Sequence, residues 1–140
     1  MPNPILEGVG DEILGILQKL GGEGLVRKIM RDKMAAGTVF LSDVHHRQLP
    51  MRILRGESDG GPAWYTEVKL QASIGNPIEM VELPEEISGI STSVAAKFRD
   101  APHTQAARDF LVFLRSSEAQ RIYDKYGFMP LAQGQQAATT

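Results

Sequence analysis

The sequence predicts an α/β fold, a three-layer sandwich around a mostly parallel sheet. Three observations lead there. Short apolar runs rich in β-branched residues alternate with longer stretches of helical periodicity almost throughout the chain. Glycine and proline punctuate the changes between them. The length, 140 residues, suits one ordinary domain with its own core.

Taken in order, "EGVGDEILGILQKLGG" reads as a loop entering a helix, with Ile13, Leu17 and Leu20 at helical spacing and Gly21 and Gly22 as its stop. A second helix is predicted from Glu23 to Ala36, with Leu25, Val26, Ile29 and Met30 inward and Gly37 ending it. "TVFL" reads as a short buried strand. Ser42 or Asp43 then caps a third helix running to about Gly56, although Pro50 falls late for a first-turn proline. "SDGGPAWYTEV" reads as a turn and a short strand, "KLQASIG" as a helix or loop, and "IEMVELP" and "GISTSVAAKF" as strands. "APHTQAARDFLVFLRSS" is a helix with Pro102 near its first turn, and "SEAQRIYDKYGF" a last helix with a serine cap and a glycine stop. "AQGQQAATT" reads as a disordered polar tail.

Composition removes several classes of function. A net charge of −2 argues against a nucleic-acid partner, because a phosphate backbone needs a strongly basic surface. The chain has no cysteine, which excludes disulfides, thiolate metal sites and a cysteine nucleophile. No apolar run approaches the roughly 20 residues of a membrane span, and "MPNPILEGVG" is not a signal peptide.

Three stretches carry candidate chemistry. In "LSDVHHRQLP" the amides after the expected cap, through His45 and His46, form a helix N-terminus of the kind that attracts an anion. The same histidines also read as structural or exposed residues, or as metal ligands. Adjacent helical residues point about 100° apart, which disfavours a shared ion. "NPILEGVG" offers glycines opening a helix, a geometry that brings backbone close to an anion, and it also reads as a plain turn. In "GESDGGPAWYTE", Trp64 and Tyr65 point to opposite faces of the expected strand, one to the core and one to a cleft. No GxSxG elbow or spaced acid pair supports a hydrolase.

Three segments, "NPILEGVG", "FLSDVHHRQLPMRILRGESDGGPAWYTEV" and "APHTQAARDFLVFLRSSEAQRIYDKYGF", resemble the C-terminal part of periplasmic solute-binding proteins of ABC transporters, closest to the type II, molybdate-binding-like branch. The last segment is the most specific, since a phrase of that form closes chains of this family. The resemblance implies an incomplete type II lobe. Residues 1–83 would be the second lobe of a two-lobed receptor. Residues 84–131 would be the crossover strand and C-terminal helices returning towards an absent first lobe. Residues 132–140 are the tail.

The resemblance further implies a small, anionic ligand such as molybdate, held in an interlobe cleft by neutral donors. Matched residue by residue, it puts ligand contacts at Val9 and Gly10, at His45 or His46, and at Trp64 with its neighbour Tyr65. Tryptophan stands where the family has a tyrosine hydroxyl. The implied partners are the solute and a membrane ABC permease, with a homodimer formed through the face left by the missing lobe. No catalysis, cofactor or metal is implied, and the setting is periplasmic. The rival readings are a metal-binding protein or metal-dependent enzyme using His45, His46 and Glu67 or Asp43, and the effector-sensing domain of a transcription regulator.

Overall fold

The structure, a computed structural model, describes residues 1–44 and 46–130. These fall into two compact units, Met1–Ile90 and a second beginning at Ser91. Among the described residues the regular structure is helical. The first unit holds α1 (Gly8–Arg27), a π-helical turn (Lys28–Lys33), α2 (Gln48–Leu54) and α3 (Tyr65–Ser73). The second holds α4 (Thr104–Leu114) and α5 (Ser117–Lys125).

The expected three-layer sandwich with a parallel sheet is therefore overturned: no strand is present among the described residues. The physical reason lies in where each element finds its hydrogen bonds. A helix closes its own, whereas a strand must borrow them from a neighbour. "TVFL" comes nearest. The Met1 ammonium donates to the Phe40 carbonyl, and the Ser42 amide donates to the Met1 carbonyl at 2.9 Å. That is one rung of parallel spacing, and no further rung follows among the described residues. "IEMVELP" and "GISTSVAAKF" have the alternation of strands but no neighbour, and Val81 and Val94 are each 89% exposed.

"GPAWYTEV" also departs from expectation. Trp64 is the extended residue before α3, and Tyr65 is the first helical one. Glu67 lies in the first turn, where its charge suits the helix dipole. Lys69, Leu70, Gln71 and Ala72 are strong helix formers and carry the helix on.

Helix boundaries follow the local chemistry closely. The long first helix is broken at Gly21 and Gly22, whose backbone leaves the helical region before the chain resumes. The helix after "SDVHH" starts at Gln48, not at Ser42 or Asp43. Pro50 thereby sits in the first turn, where a missing N–H costs nothing. Ser116 caps α5 by accepting from the Ala119 amide at 3.2 Å. At the other end Gly127, at φ 87°, allows the Phe128 amide to reach the Tyr123 carbonyl at 3.0 Å. The Gly127 amide donates to the Asp124 carbonyl at 2.9 Å, which completes a left-handed stop. The rings of Tyr123 and Phe128 meet edge-on at 6.0 Å across this turn.

The first unit is tied together by a few long-range contacts. The Arg52 guanidinium lies over the Phe40 ring at 4.0 Å. Its Nε donates to Ser58 Oγ at 3.1 Å, and another nitrogen to the Glu57 carbonyl at 3.1 Å. Arg52 thus clamps the end of α2 to the "TVFL" segment. Val9 and Ile16 are the buried apolar residues of α1, and Ala119 is that of α5.

Asn3 and Pro4 fold down onto α1 at Gly10. A Cβ there would stand 2.6 Å from the Asn3 carbonyl carbon and 2.6 Å from the Pro4 nitrogen. Gly10→Ala should therefore destabilise the protein by about 1–3 kcal/mol. Gly15, with open space around its Cβ position in the same helix, is the control. Gly15→Ala should be neutral or stabilising by up to about 1 kcal/mol. Urea denaturation of the two variants checks both.

Candidate functional site

The site begins with a buried acid. Glu7 is the residue before α1 and is 5% exposed. It is positioned by the turn ahead of it. Asn3 Oδ1 accepts from the Ile5 amide at 3.0 Å, and the Asn3 carbonyl accepts from the amides of Leu6 at 3.0 Å and Glu7 at 2.8 Å. This turn, pressed against Gly10, directs the Glu7 side chain inward. Burying a carboxylate costs free energy unless donors meet it.

The donors come from the "SDVHH" loop. Ser42, also 5% exposed, donates its hydroxyl to Glu7 Oε1. The His46 amide donates to Glu7 Oε2 at 3.4 Å. The loop is shaped for this by Gln48, whose side-chain oxygen accepts from the amides of Asp43 at 2.7 Å and Val44 at 3.2 Å. His46 lies in the left-handed region at φ 57°, an uncommon conformation for any residue but glycine, and one in which histidine is enriched. It is held there from two sides, because its Nδ1 is hydrogen-bonded to Glu67 Oε1 from the first turn of α3.

Pro2, Glu7, Ser42, Val44, His46, Leu49 and Glu67 together line a small pocket. The space within this partly open recess, about 10 Å³, is the size of a water molecule. Its wall combines two carboxylates, an imidazole and a hydroxyl with three apolar side chains, and no lysine or arginine. Nearby, burial and then the charge of Arg52 lower the pKa of the Met1 amino group from its ordinary 8.0, while Glu7 pulls it back up.

Among the six residues singled out in the sequence, His46 lines this pocket. His45 lies outside the described residues. Val9 is buried in the first turn of α1, and the Gly10 amide already donates to the Glu7 carbonyl at 2.9 Å. Trp64 precedes α3, and Tyr65 is exposed with the Lys69 ammonium 5.9 Å from its ring centre. Neither aromatic lines the pocket. The residues that sequence reasoning missed are Glu7 and Ser42 in its wall, with Glu67 considered only as a metal ligand. The available signal was an acid at a helix start facing a serine and histidine loop. Among the described residues no group of three or more His, Asp or Glu side chains is arranged to hold a metal ion.

A buried acid and a buried hydroxyl, with a partly exposed imidazole and a second acid, come from three separate segments (Glu7; Ser42 and His46; Glu67) to form a small polar recess. The comparison with known proteins places the chain in a family. Residues 1–129 match the family model described as "Bacterial extracellular solute-binding protein", and the chain belongs to that family. A Bacillus subtilis (strain 168) protein named "Putative ABC transporter substrate-binding lipoprotein YvgL" is 27% identical over 109 residues. That match covers 77% of this chain and 40% of the relative, so the chain spans well under half of the relative's length. No solved structure matches the chain. No helix among the described residues is long and apolar enough to cross a membrane.

Removing the Ser42 hydroxyl leaves the Glu7 carboxylate short of a donor in a buried setting. Ser42→Ala should cost about 1.5–3 kcal/mol, the range for hydrogen bonds to charged groups. Ser73, whose exposed hydroxyl bonds only the Leu70 carbonyl at 2.7 Å, is the comparison. Ser73→Ala should stay within about 0.5 kcal/mol. The urea midpoints of the two variants decide it.

Proposed function

We propose that this chain is part of the solute-binding receptor of an ABC importer, working outside the cytoplasm, and that its solute is a small anion of the oxyanion class, molybdate among the candidates. One observation carries the site. The three stretches marked by sequence, residues 3–10, 41–50 and 56–67, each contribute side chains to one pocket through Glu7, Ser42, His46 and Glu67. Segments this far apart converge on a polar recess only if tertiary structure is built around it.

The Ser42 hydroxyl and the His46 amide are the kind of neutral donors that hold an oxyanion by short hydrogen bonds without a full countercharge. Residues 1–83 would supply one wall of the ligand cleft, and residues 84–131 a separate return segment. The relative's printed name supports an ABC permease as the membrane partner. In this reading the protein captures and hands over its solute and carries out no catalysis. His45, His46, Val9, Gly10, Trp64 and Tyr65 remain the residues to substitute in mapping the wider contact surface.

The test is a thermal-shift and calorimetric panel on the longest native polypeptide that contains this sequence. It spans molybdate, tungstate, sulfate, phosphate, small carboxylates and divalent metals, with and without chelator. A rise in Tm with an oxyanion, indifferent to chelator, is expected; saturation at a hundred times Kd adds about 2.7 kcal/mol of stability. A rise with a divalent metal alone, abolished by chelator, would replace this reading with a metal-binding one.

A further inference from the structure

We propose that the larger cavity of the first unit, lined by α2, α3 and the chain on either side of α3, is a second binding site, and that it takes a small organic cation with an apolar body and one ammonium group. The proposal does not rest on the anion reading above and concerns a different surface.

This partly open cavity holds about 200 Å³. A cavity of about 150 Å³ already accepts a molecule the size of benzene. Its walls are mostly apolar: Leu49, Pro50 and Ile53 from α2, Val68 from α3, and Ala63 and Ile78 from the flanking chain. The loop ahead of α3 comes close because Gly61 has no side chain. A Cβ there would stand 2.6 Å from Leu49 Cδ1. On the far side, Gln71 Oε1 accepts from Asn76 Nδ2 at 2.6 Å, which ties α3 to the turn before Pro77.

The polar part of the lining has one sign. Asp59, Glu67 and Glu79 line the cavity, and among the described residues no lysine, arginine or histidine does. The three acids come from the loop before α3, its first turn and the segment after it. Glu67 is engaged by the His46 ring. Asp59 and Glu79 are exposed, and neither has a side-chain hydrogen bond or ion pair among the described residues. They remain hydrated at the open side, at no cost of burial.

A ligand that matches both parts lays its apolar body on the floor and keeps its charged head at the wet rim, beside the acids. A neutral analogue gains only the floor. An anion of the same shape meets like charge. A bare metal ion leaves the apolar wall unmatched, and the described acids are not arranged to hold one.

The experiment titrates benzylammonium, benzyl alcohol and benzoate at pH 7 into the longest native polypeptide, read by NMR at its backbone amides. Benzylammonium should bind about tenfold or more tightly than the alcohol, and benzoate more weakly than either. The amides that shift should include residues 59–63 and 77–79. Asp59→Asn with Glu79→Gln should bring ammonium and alcohol within about threefold, whereas Glu23→Gln, an exposed acid elsewhere, should change nothing. Raising the salt to about 1 M should weaken benzylammonium and leave the alcohol unaffected, which tests the charge without any variant. Equal binding of ammonium and alcohol, binding without shifts at these amides, a preference that survives the double variant or high salt, or no saturable binding of benzylammonium each overturns the proposal.

Discussion

A carboxylate taken out of water must be met by donors, and that requirement at Glu7 organises the first unit. Its partners, Ser42 and His46, lie 35 and 39 residues further along the chain. The helices around them close their backbone hydrogen bonds within single segments of the chain. The Glu7 contacts are different in kind, since they exist only when the N-terminal turn and the "SDVHH" loop are brought side by side. Gly10 makes the approach possible by leaving room for Asn3 and Pro4 against α1. His46 then passes the constraint to α3 through Glu67. One buried acid thus links a turn, a loop and two helices.

Much of this was legible residue by residue where the chemistry is local. The double-glycine break in α1, the serine cap of α5 and the glycine stop at Gly127 all stand where the sequence puts them. Each depends on a backbone preference or one side-chain bond within a single turn. The strands were not legible in the same sense. Alternation in "IEMVELP" and "GISTSVAAKF" records which residues would share a face, but not whether a neighbour is present to receive their hydrogen bonds. Periodicity alone therefore overstated the sheet. At "AWYTEV" the same β-favouring composition yielded to an acid in the first turn and the helix formers that follow.

The candidate site was half legible for a related reason. His46 stood out because paired histidines are rare and a loop before a proline suggests a helix start. Ser42 was read as a cap because serine commonly serves a local amide. Here its hydroxyl goes instead to a distant acid, while Gln48 takes the nearby amides. Glu7 carried the least signal of all, because an acid beside a helix N-terminus is ordinary at a surface. Only burial turns it into a determinant, and burial is a property of what packs above it.

Site and stability consequently draw on the same bonds. The long-range hydrogen bonds of the first unit are concentrated at Glu7, Ser42, His46 and Glu67, which also line the pocket. A substitution at any of these positions therefore alters the candidate pocket and loosens the turn, the loop and α3 together.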